Sequence, residues 1–208
     1  MLERTRKLWQ MQNRHEGDRL ALFEAVAASL EAPRVLYPGS FVDITASFVW
    51  PSVTYVDMDR RARQFFDDRP GVDELLSGAG VDPRSREVDF IGADYREPLD
   101  LPAGGFGLLV SLYAGFVSEY CTEHLAVGGH LLVNPSHGDA AMASIDPRYR
   151  LDGVVWSRSG NYTVSHDDLD SYLVPKKDLQ PTRDLLHERG RGITYTRSPF
   201  AYLFRREG

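Results

Sequence analysis

The sequence is poor in cysteine and has no long apolar run. Cys121 is the single cysteine among 208 residues, which excludes an intramolecular disulfide framework and a thiolate-rich metal site. No apolar segment approaches the roughly 20 residues that span a bilayer, and residues 1–20 lack the apolar stretch of a signal peptide. We therefore expect a cytoplasmic protein with no membrane partner, in which Cys121 is a small core residue.

The sequence also lacks a surplus of basic residues. Its formal net charge is −6, whereas proteins that bind phosphate backbones carry a clustered basic surplus. We therefore expect a small-molecule substrate and no nucleic-acid partner. The oligomeric state is open between monomer and homodimer.

Several sequence motifs that bind phosphates or metals are missing. The GxGxxG dinucleotide fingerprint and the GxxxxGK[ST] nucleotide loop do not occur, so a ligand without phosphates fits better than a nicotinamide or nucleoside triphosphate. The 6 histidines form no HxH or HExxH spacing, and no metal site is predicted.

Short apolar segments alternate with helical patterns along the first two thirds of the chain. The predicted strands are 34–37, 53–56, 87–92, 106–113 and 130–134, and a final strand follows at 200–204. Alternation of this kind is typical of right-handed crossovers in a parallel sheet. It predicts an α/β protein with a doubly wound, mostly parallel, Rossmann-like sheet of about six or seven strands, helices on both faces, and an antiparallel edge formed by the final strand.

One domain accounts for the whole length. Within 1–208 we distinguish N-terminal helices at 1–30, a first half at 31–135 that carries the strand ends, and a second half at 136–208. In the N-terminal part, Asp18 is expected to cap a helix that continues to Leu30.

The segment from Arg34 to Asp59 reads as strand, turn, short helix and strand. Pro38 and Gly39 stop the first strand, and Asp57 follows the second. Parallel strands end on the same edge, so the Gly39 turn and the Asp57 carboxylate should lie side by side where open α/β sheets bind ligands.

Two aspartates at strand ends are candidate ligand contacts. Asp57 is positioned to accept hydrogen bonds from a ribose diol, and Asp59 is available to cap the helix that follows. Asp94 is a candidate acceptor for an exocyclic amine such as that of adenine, with the Tyr95 backbone N–H available for a ring nitrogen. A simple turn aspartate is the alternative for Asp94.

Taken in order, four segments resemble the successive cofactor-binding segments of class I S-adenosylmethionine-dependent methyltransferases. They are Leu36 to Asp43, Val56 to Asp59, Gly92 to Tyr95 and Leu109 to Tyr113, and the segment 128–133 is similar to the one that enters the fifth strand of that family. The resemblance is one of order and spacing, and it implies methyl transfer with S-adenosyl-L-methionine (SAM) as the cofactor.

The resemblance also implies a role for each segment. The Gly39 turn would meet the cofactor's amino-acid part, Asp57 its ribose, Asp94 and Tyr95 its adenine, and Ser111 to Tyr113 its sulfonium side. The residues implied to bind the cofactor are Tyr37, Pro38, Gly39, Ser40, Asp43, Asp57, Met58, Asp94, Tyr95, Ser111 and Leu112.

The first loop departs from the family pattern, which has two or three glycines. Here Ser40, Phe41 and Val42 occupy that stretch, and Asp43 is the candidate contact for the cofactor's ammonium group. Phe41 therefore motivates an alternative, in which the fold is kept as a non-catalytic scaffold or binding domain.

Two residues past the strand ends are candidate catalytic groups. Tyr113 follows the fourth strand and His137 follows the fifth, and either is available as a general base if the methyl acceptor loses a proton. A third hypothesis takes Asp57 and Asp59 as the DxD site of a sugar-nucleotide transferase, where two carboxylates bind a divalent cation.

Overall fold

The computed structural model describes residues 1–14 and 17–208. Its strands form a single eight-stranded sheet in the order β3-β2-β1-β4-β5-β8-β6-β7. They are β1 Arg34–Pro38, β2 Ser52–Val56, β3 Glu87–Ile91, β4 Phe106–Ser111, β5 Leu125–Val133, β6 Tyr149–Arg158, β7 Asn161–Ser165 and β8 Ala201–Arg206.

Helices cover both faces of this sheet. They are α1 Glu3–Gln12, α2 Asp18–Ala27, α3 Ala46–Val49, α4 Arg60–Phe66, α5 Arg69–Gly78, α6 Val117–Cys121, α7 Asp139–Ile145 and α8 Arg183–Arg189. Helices α2 to α5 share one buried apolar cluster with the sheet, and α6 to α8 share the other. Cys121 is fully buried, as the sequence predicted.

The predicted fold class is confirmed by the strand order. Strands β1 to β5 are parallel to one another. β2 and β3 lie on one side of β1, and β4 and β5 lie on the other, so the strand order reverses between β1 and β4. Neighbouring residues of the central strands alternate between the two clusters: Val35 and Tyr37 pack on one face and Leu36 on the other. Burial on both faces explains why these strands read as continuous apolar runs.

The sheet has eight strands where about six or seven were predicted, and the final strand is placed differently from the prediction. β8 does not form the edge but lies between β5 and β6, antiparallel to both. The antiparallel edge strand is β7, paired with β6 through the turn at Ser159 and Gly160. β8 pairs along both sides, and its apolar segment is buried there.

Local signals were wrong at two further positions. Gly17, with φ of +88°, is the residue that caps α2, and Asp18 is the first residue of the helix. The fifth strand was predicted to begin at residue 130, but β5 begins at Leu125 and passes through Gly128, where the register against β4 shifts. Gly128 has φ of +83°, a conformation that glycine adopts readily in a bulge.

Candidate functional site

The carboxyl ends of β1 to β4 meet at one edge of the sheet, which we call the rim. Gly39 turns the chain out of β1 with φ of +67°, and its N–H donates to the carbonyl oxygen of Val56 at 2.8 Å. This hydrogen bond fixes the turn against the end of β2. The predicted juxtaposition of Gly39 and Asp57 follows directly.

Asp57 is held at the rim by two backbone donors. One carboxylate oxygen accepts from the Phe41 N–H at 2.8 Å and the other from the Asp59 N–H at 2.7 Å. No cationic side chain among residues 1–14 and 17–208 lies within 4 Å of this half-buried carboxylate. Each oxygen of a carboxylate accepts two hydrogen bonds, so both retain capacity for a vicinal diol.

The neighbours of Asp57 have separate tasks. The Asp59 side chain accepts from the Arg61 N–H, caps α4 and pairs with the Arg61 guanidinium at 2.6 Å. The predicted cap is therefore confirmed. In the DxD hypothesis Asp59 is the second carboxylate, and here it is already paired with Arg61. Met58 lies between them with 69% of its surface exposed, which places an apolar side chain in solvent beside Asp57.

Two residues at the rim have a left-handed backbone conformation, which is rare for residues other than glycine. Phe41 has φ of +49° and Tyr113 has φ of +58°. Such conformations cost about 1–3 kcal/mol and concentrate at functional sites. The Arg61 guanidinium stacks 4.9 Å from the centre of the Phe41 ring, which helps to hold the Phe41 loop in place.

Tyr95 packs over the Gly39 turn together with Ala114. The Tyr95 hydroxyl accepts from the Gly115 N–H at 3.1 Å, and burial raises the pKa of Tyr95 to about 12. A Cβ added to Gly39 would lie 2.8 Å from the Cβ of Ala114. The space directly above Gly39 is therefore filled by protein, and the ends of β1, β3 and β4 are in contact.

Asp94 is engaged by its own loop. Its carboxylate accepts from the Arg96 backbone N–H and from Arg96 Nε, each at 3.0 Å. These bonds to Arg96 lower the pKa of Asp94. The geometry matches the turn-aspartate alternative, and the role of Asp94 toward adenine stays a prediction.

Asp43 lies in the interior and not in the open part of the rim. It is 2% exposed and accepts from the Tyr37 hydroxyl at 3.0 Å and the Thr45 N–H at 3.1 Å. Arg19 Nε lies 3.0 Å from the same carboxylate. Sequence reasoning missed Arg19, whose position at the start of α2 gives no local sign of a partner 24 residues further along the chain.

The remaining predicted cofactor residues are buried. Ser40 is 2% exposed, and its hydroxyl has no hydrogen-bond partner among the described residues. The Ser111 hydroxyl donates to Asp139, and Pro38 and Leu112 are core residues. Ser111 therefore ties β4 to α7 in this structure.

Asp139 is a buried carboxylate that the sequence did not reveal. It accepts from the hydroxyls of Ser111 and Ser118 and from the Ser118 N–H. Burial raises the pKa of Asp139 to about 6, although these hydrogen bonds act in the opposite direction. An Asp after a Gly in a polar loop carries no sign of burial, so only the packing identifies it.

The two candidate catalytic residues are joined by a hydrogen-bond chain. His137 Nδ1 lies 2.8 Å from the Ser136 hydroxyl, which donates to Asn134 Oδ1 at 2.9 Å. The same amide oxygen accepts from the Tyr113 N–H at 3.2 Å. Tyr113 is 53% exposed and His137 is exposed, so both reach solvent.

A cavity of about 250 Å³ opens beside the rim, under α1 and α2. We call it the N-terminal cavity. Its walls include Trp9, Asp18, Arg19, Tyr113, Tyr162 and Phe200. Tyr113 thus belongs both to the rim and to this cavity.

Comparisons with known proteins give structural similarities only. No protein-family profile matches the chain. No curated protein matches it either.

Among solved structures, N-methyltransferase NodS from Bradyrhizobium japonicum WM9, in complex with S-adenosyl-L-homocysteine (SAH), is 13% identical with a TM-score of 0.49, covering 94% of this chain and 87% of that one. O-methyltransferase TomG from Streptomyces achromogenes, in complex with SAM, is 16% identical with a TM-score of 0.43, covering 79% and 87%. The YcgJ protein from Bacillus subtilis is 18% identical with a TM-score of 0.43, covering 62% and 55%.

The chain corresponds to only 36% to 56% of the length of three matched structures. At these identities and TM-scores the similarities bear on no question of activity, and the fold assignment depends on the strand order. No helix of the described residues is long and apolar enough to cross a membrane.

Proposed function

We propose that this protein transfers a methyl group from SAM to a small-molecule acceptor. The observation that carries the proposal is the Asp57 carboxylate, which lies at the rim beside the Gly39 turn. It has no cationic partner among the described residues and has acceptor capacity left on both oxygens. A ribose diol supplies the two donors that such a carboxylate lacks.

The residues around Asp57 suit the rest of an adenosyl group. Met58 offers an exposed apolar side chain next to it, and Tyr95 is a half-buried aromatic residue at the end of the next strand. The Ser40 hydroxyl lies buried in the first turn and has no partner among the described residues, so it is a candidate contact for the amino-acid part of the cofactor. Asp43 is less suited to that contact, because Arg19 already neutralises it.

When bound, the cofactor supplies an electrophilic methyl group. An acceptor that carries a proton would need a base to receive it. The chain's contribution is to hold the acceptor in line with the methyl group and to exclude water. Tyr113 and His137 are the candidate bases, and the chain of hydrogen bonds through Asn134 keeps the loops that carry them together.

Calorimetric titration with SAH tests the proposal. Asp57→Ala is expected to weaken SAH binding by about 1–3 kcal/mol, the usual cost of removing a charged hydrogen-bond partner. Asp59→Ala is the matched control, since it removes a carboxylate two residues away that caps α4 and pairs with Arg61. It should leave SAH affinity unchanged, and equal losses in the two variants would remove Asp57 from the site.

A non-catalytic binding domain is the second candidate, and a specific observation favours it. Ala114 fills the space over Gly39, and the Asp43 carboxylate is buried in internal contacts. Folded wild-type protein that binds no SAH would support this candidate. Metal-dependent binding of a nucleotide sugar would instead support the sugar transferase.

A further inference from the structure

Among the residues that the structure describes, those lining the N-terminal cavity include several aromatic side chains and one cation. Trp9 from α1, Tyr113 after β4, Tyr162 of β7 and Phe200 before β8 all line it. These residues come from four separate parts of the chain, so the fold assembles the cavity. A space of about 250 Å³ lies just below the usual size of small-molecule pockets, which suits a ligand of one or two rings.

Arg19 is this cation, and the buried Asp43 carboxylate holds it in place. Its Nε lies 3.0 Å from the buried Asp43 carboxylate, and its guanidinium carbon lies 5.5 Å from the centre of the Tyr113 ring. The Arg19 side chain is 21% exposed. It is therefore fixed in the cavity wall and does not move freely in solvent.

One nitrogen of this guanidinium lacks a hydrogen-bond partner. Arg19 Nη1 is buried and makes no hydrogen bond within the part of the chain that the structure describes. A buried donor left without an acceptor costs free energy, so native proteins rarely keep one without a reason. An oxygen of a bound ligand would supply the missing acceptor.

The other charges around the cavity leave this assignment intact. Asp43 also lines the cavity, where its carboxylate is paired with Arg19 at 3.0 Å and accepts hydrogen bonds from Tyr37 and Thr45. Asp18 is exposed at the start of α2, where solvent screens its charge. The buried side of the cavity therefore presents aromatic faces and a guanidinium that is oriented by the Asp43 carboxylate.

We propose that the N-terminal cavity binds an aromatic carboxylate, with its ring among the aromatic walls and its carboxylate on the Arg19 guanidinium. Planar carboxylates match the fork of N–H donors that arginine offers. The identification of this ligand as the methyl acceptor rests on the proposed function. The binding site itself stands on the cavity alone.

Ligand-observed NMR without any cofactor tests the site, with three probes of similar size. Benzoate carries both features, benzylamine reverses the charge, and cyclohexanecarboxylate keeps the charge without an aromatic ring. Benzoate is expected to bind about tenfold or more tightly than either of the others. Equal binding of benzylamine, equal binding of cyclohexanecarboxylate, or no binding of benzoate at any soluble concentration would overturn the proposal.

Two variants then locate the probe. Arg19→Gln should weaken benzoate binding about tenfold or more, whereas Arg6→Gln, an exposed residue of α1, should leave it unchanged. Folding of each variant is checked by circular dichroism. If Arg19→Gln does not fold, the effect of benzoate on the ring signals of Tyr113 and Tyr162 in the wild-type protein decides the location. Perturbations confined to tyrosines outside the cavity would contradict it.

The benzoate measurement and the SAH measurement test the two proposals separately. Benzoate binding without SAH binding would keep the site and remove methyl transfer. SAH binding without benzoate binding would remove the site and keep methyl transfer.

Discussion

Asp139 gives this protein a pH-dependent stability term with a defined sign. Burial raises its pKa from the ordinary value of 3.8 to about 6, against the hydrogen bonds from Ser111 and Ser118. A rise of this size corresponds to about 3 kcal/mol, because one pKa unit is about 1.36 kcal/mol. The ionised carboxylate is therefore tolerated in the folded protein at a cost.

The sign follows from proton binding. Between about pH 4 and pH 6 the folded protein holds a proton on Asp139 that the unfolded chain has released. The contribution of this group to the free energy of unfolding therefore falls as pH rises through that window, and it is constant above about pH 7. Carboxylates whose pKa is lowered, such as Asp94, contribute with the opposite sign.

Asp139→Asn isolates the effect. An asparagine side chain has the same shape as the aspartate. Its amide oxygen can accept from the Ser118 hydroxyl, and its amide nitrogen can donate to the Ser111 hydroxyl, which is able to accept as well as donate. Urea unfolding of wild type and variant at about pH 4 and pH 7 is expected to show the variant gaining about 3 kcal/mol relative to wild type at the higher pH. Asp94→Asn, as the control, should change little relative to wild type between these pH values, because a carboxyl with a lowered pKa titrates below about pH 4.

A difference between Asp139→Asn and wild type that does not change with pH would refute this reasoning. A change in favour of the wild-type protein would show that the hydrogen bonds from the two serines outweigh the burial of the carboxylate.

Two further substitutions test the packing around the site. Gly39→Ala should lower the free energy of unfolding by about 1–3 kcal/mol, because the new side chain would sit at a positive φ and 2.8 Å from Ala114. The control is Gly78→Ala in α5, where a Cβ meets nothing within 4 Å and should not destabilise the protein. Urea unfolding compares the two variants, and equal effects would contradict the packing described around Gly39. Asp68→Ala removes the acceptor of the Thr5 hydroxyl, at 2.6 Å, and should cost about 1–3 kcal/mol in the same assay. It should also increase hydrogen exchange in α1, and unchanged exchange there would show that Asp68 does not anchor this helix.

Local signals in the sequence predicted much of the rim. Pro38 and Gly39 end β1, Asp59 caps α4, and Asp57 lies where a strand-end residue of a parallel sheet must lie. Each of these depends on residues within a few positions along the chain. The sequence also contained a signal that went unread, since Asp59, Asp82, Asp94 and Asp146 each precede an arginine by two positions and each pairs with it.

Contacts between distant segments decided the rest. The sequence by itself determined an α/β chain whose first five strands form a parallel sheet, because strands buried on both faces are visible in the sequence as apolar runs. Only the tertiary structure placed β8 between β5 and β6, joined Arg19 to Asp43 and buried Asp139. Pairing across many residues depends on the geometry of the whole fold, and no local pattern carries it.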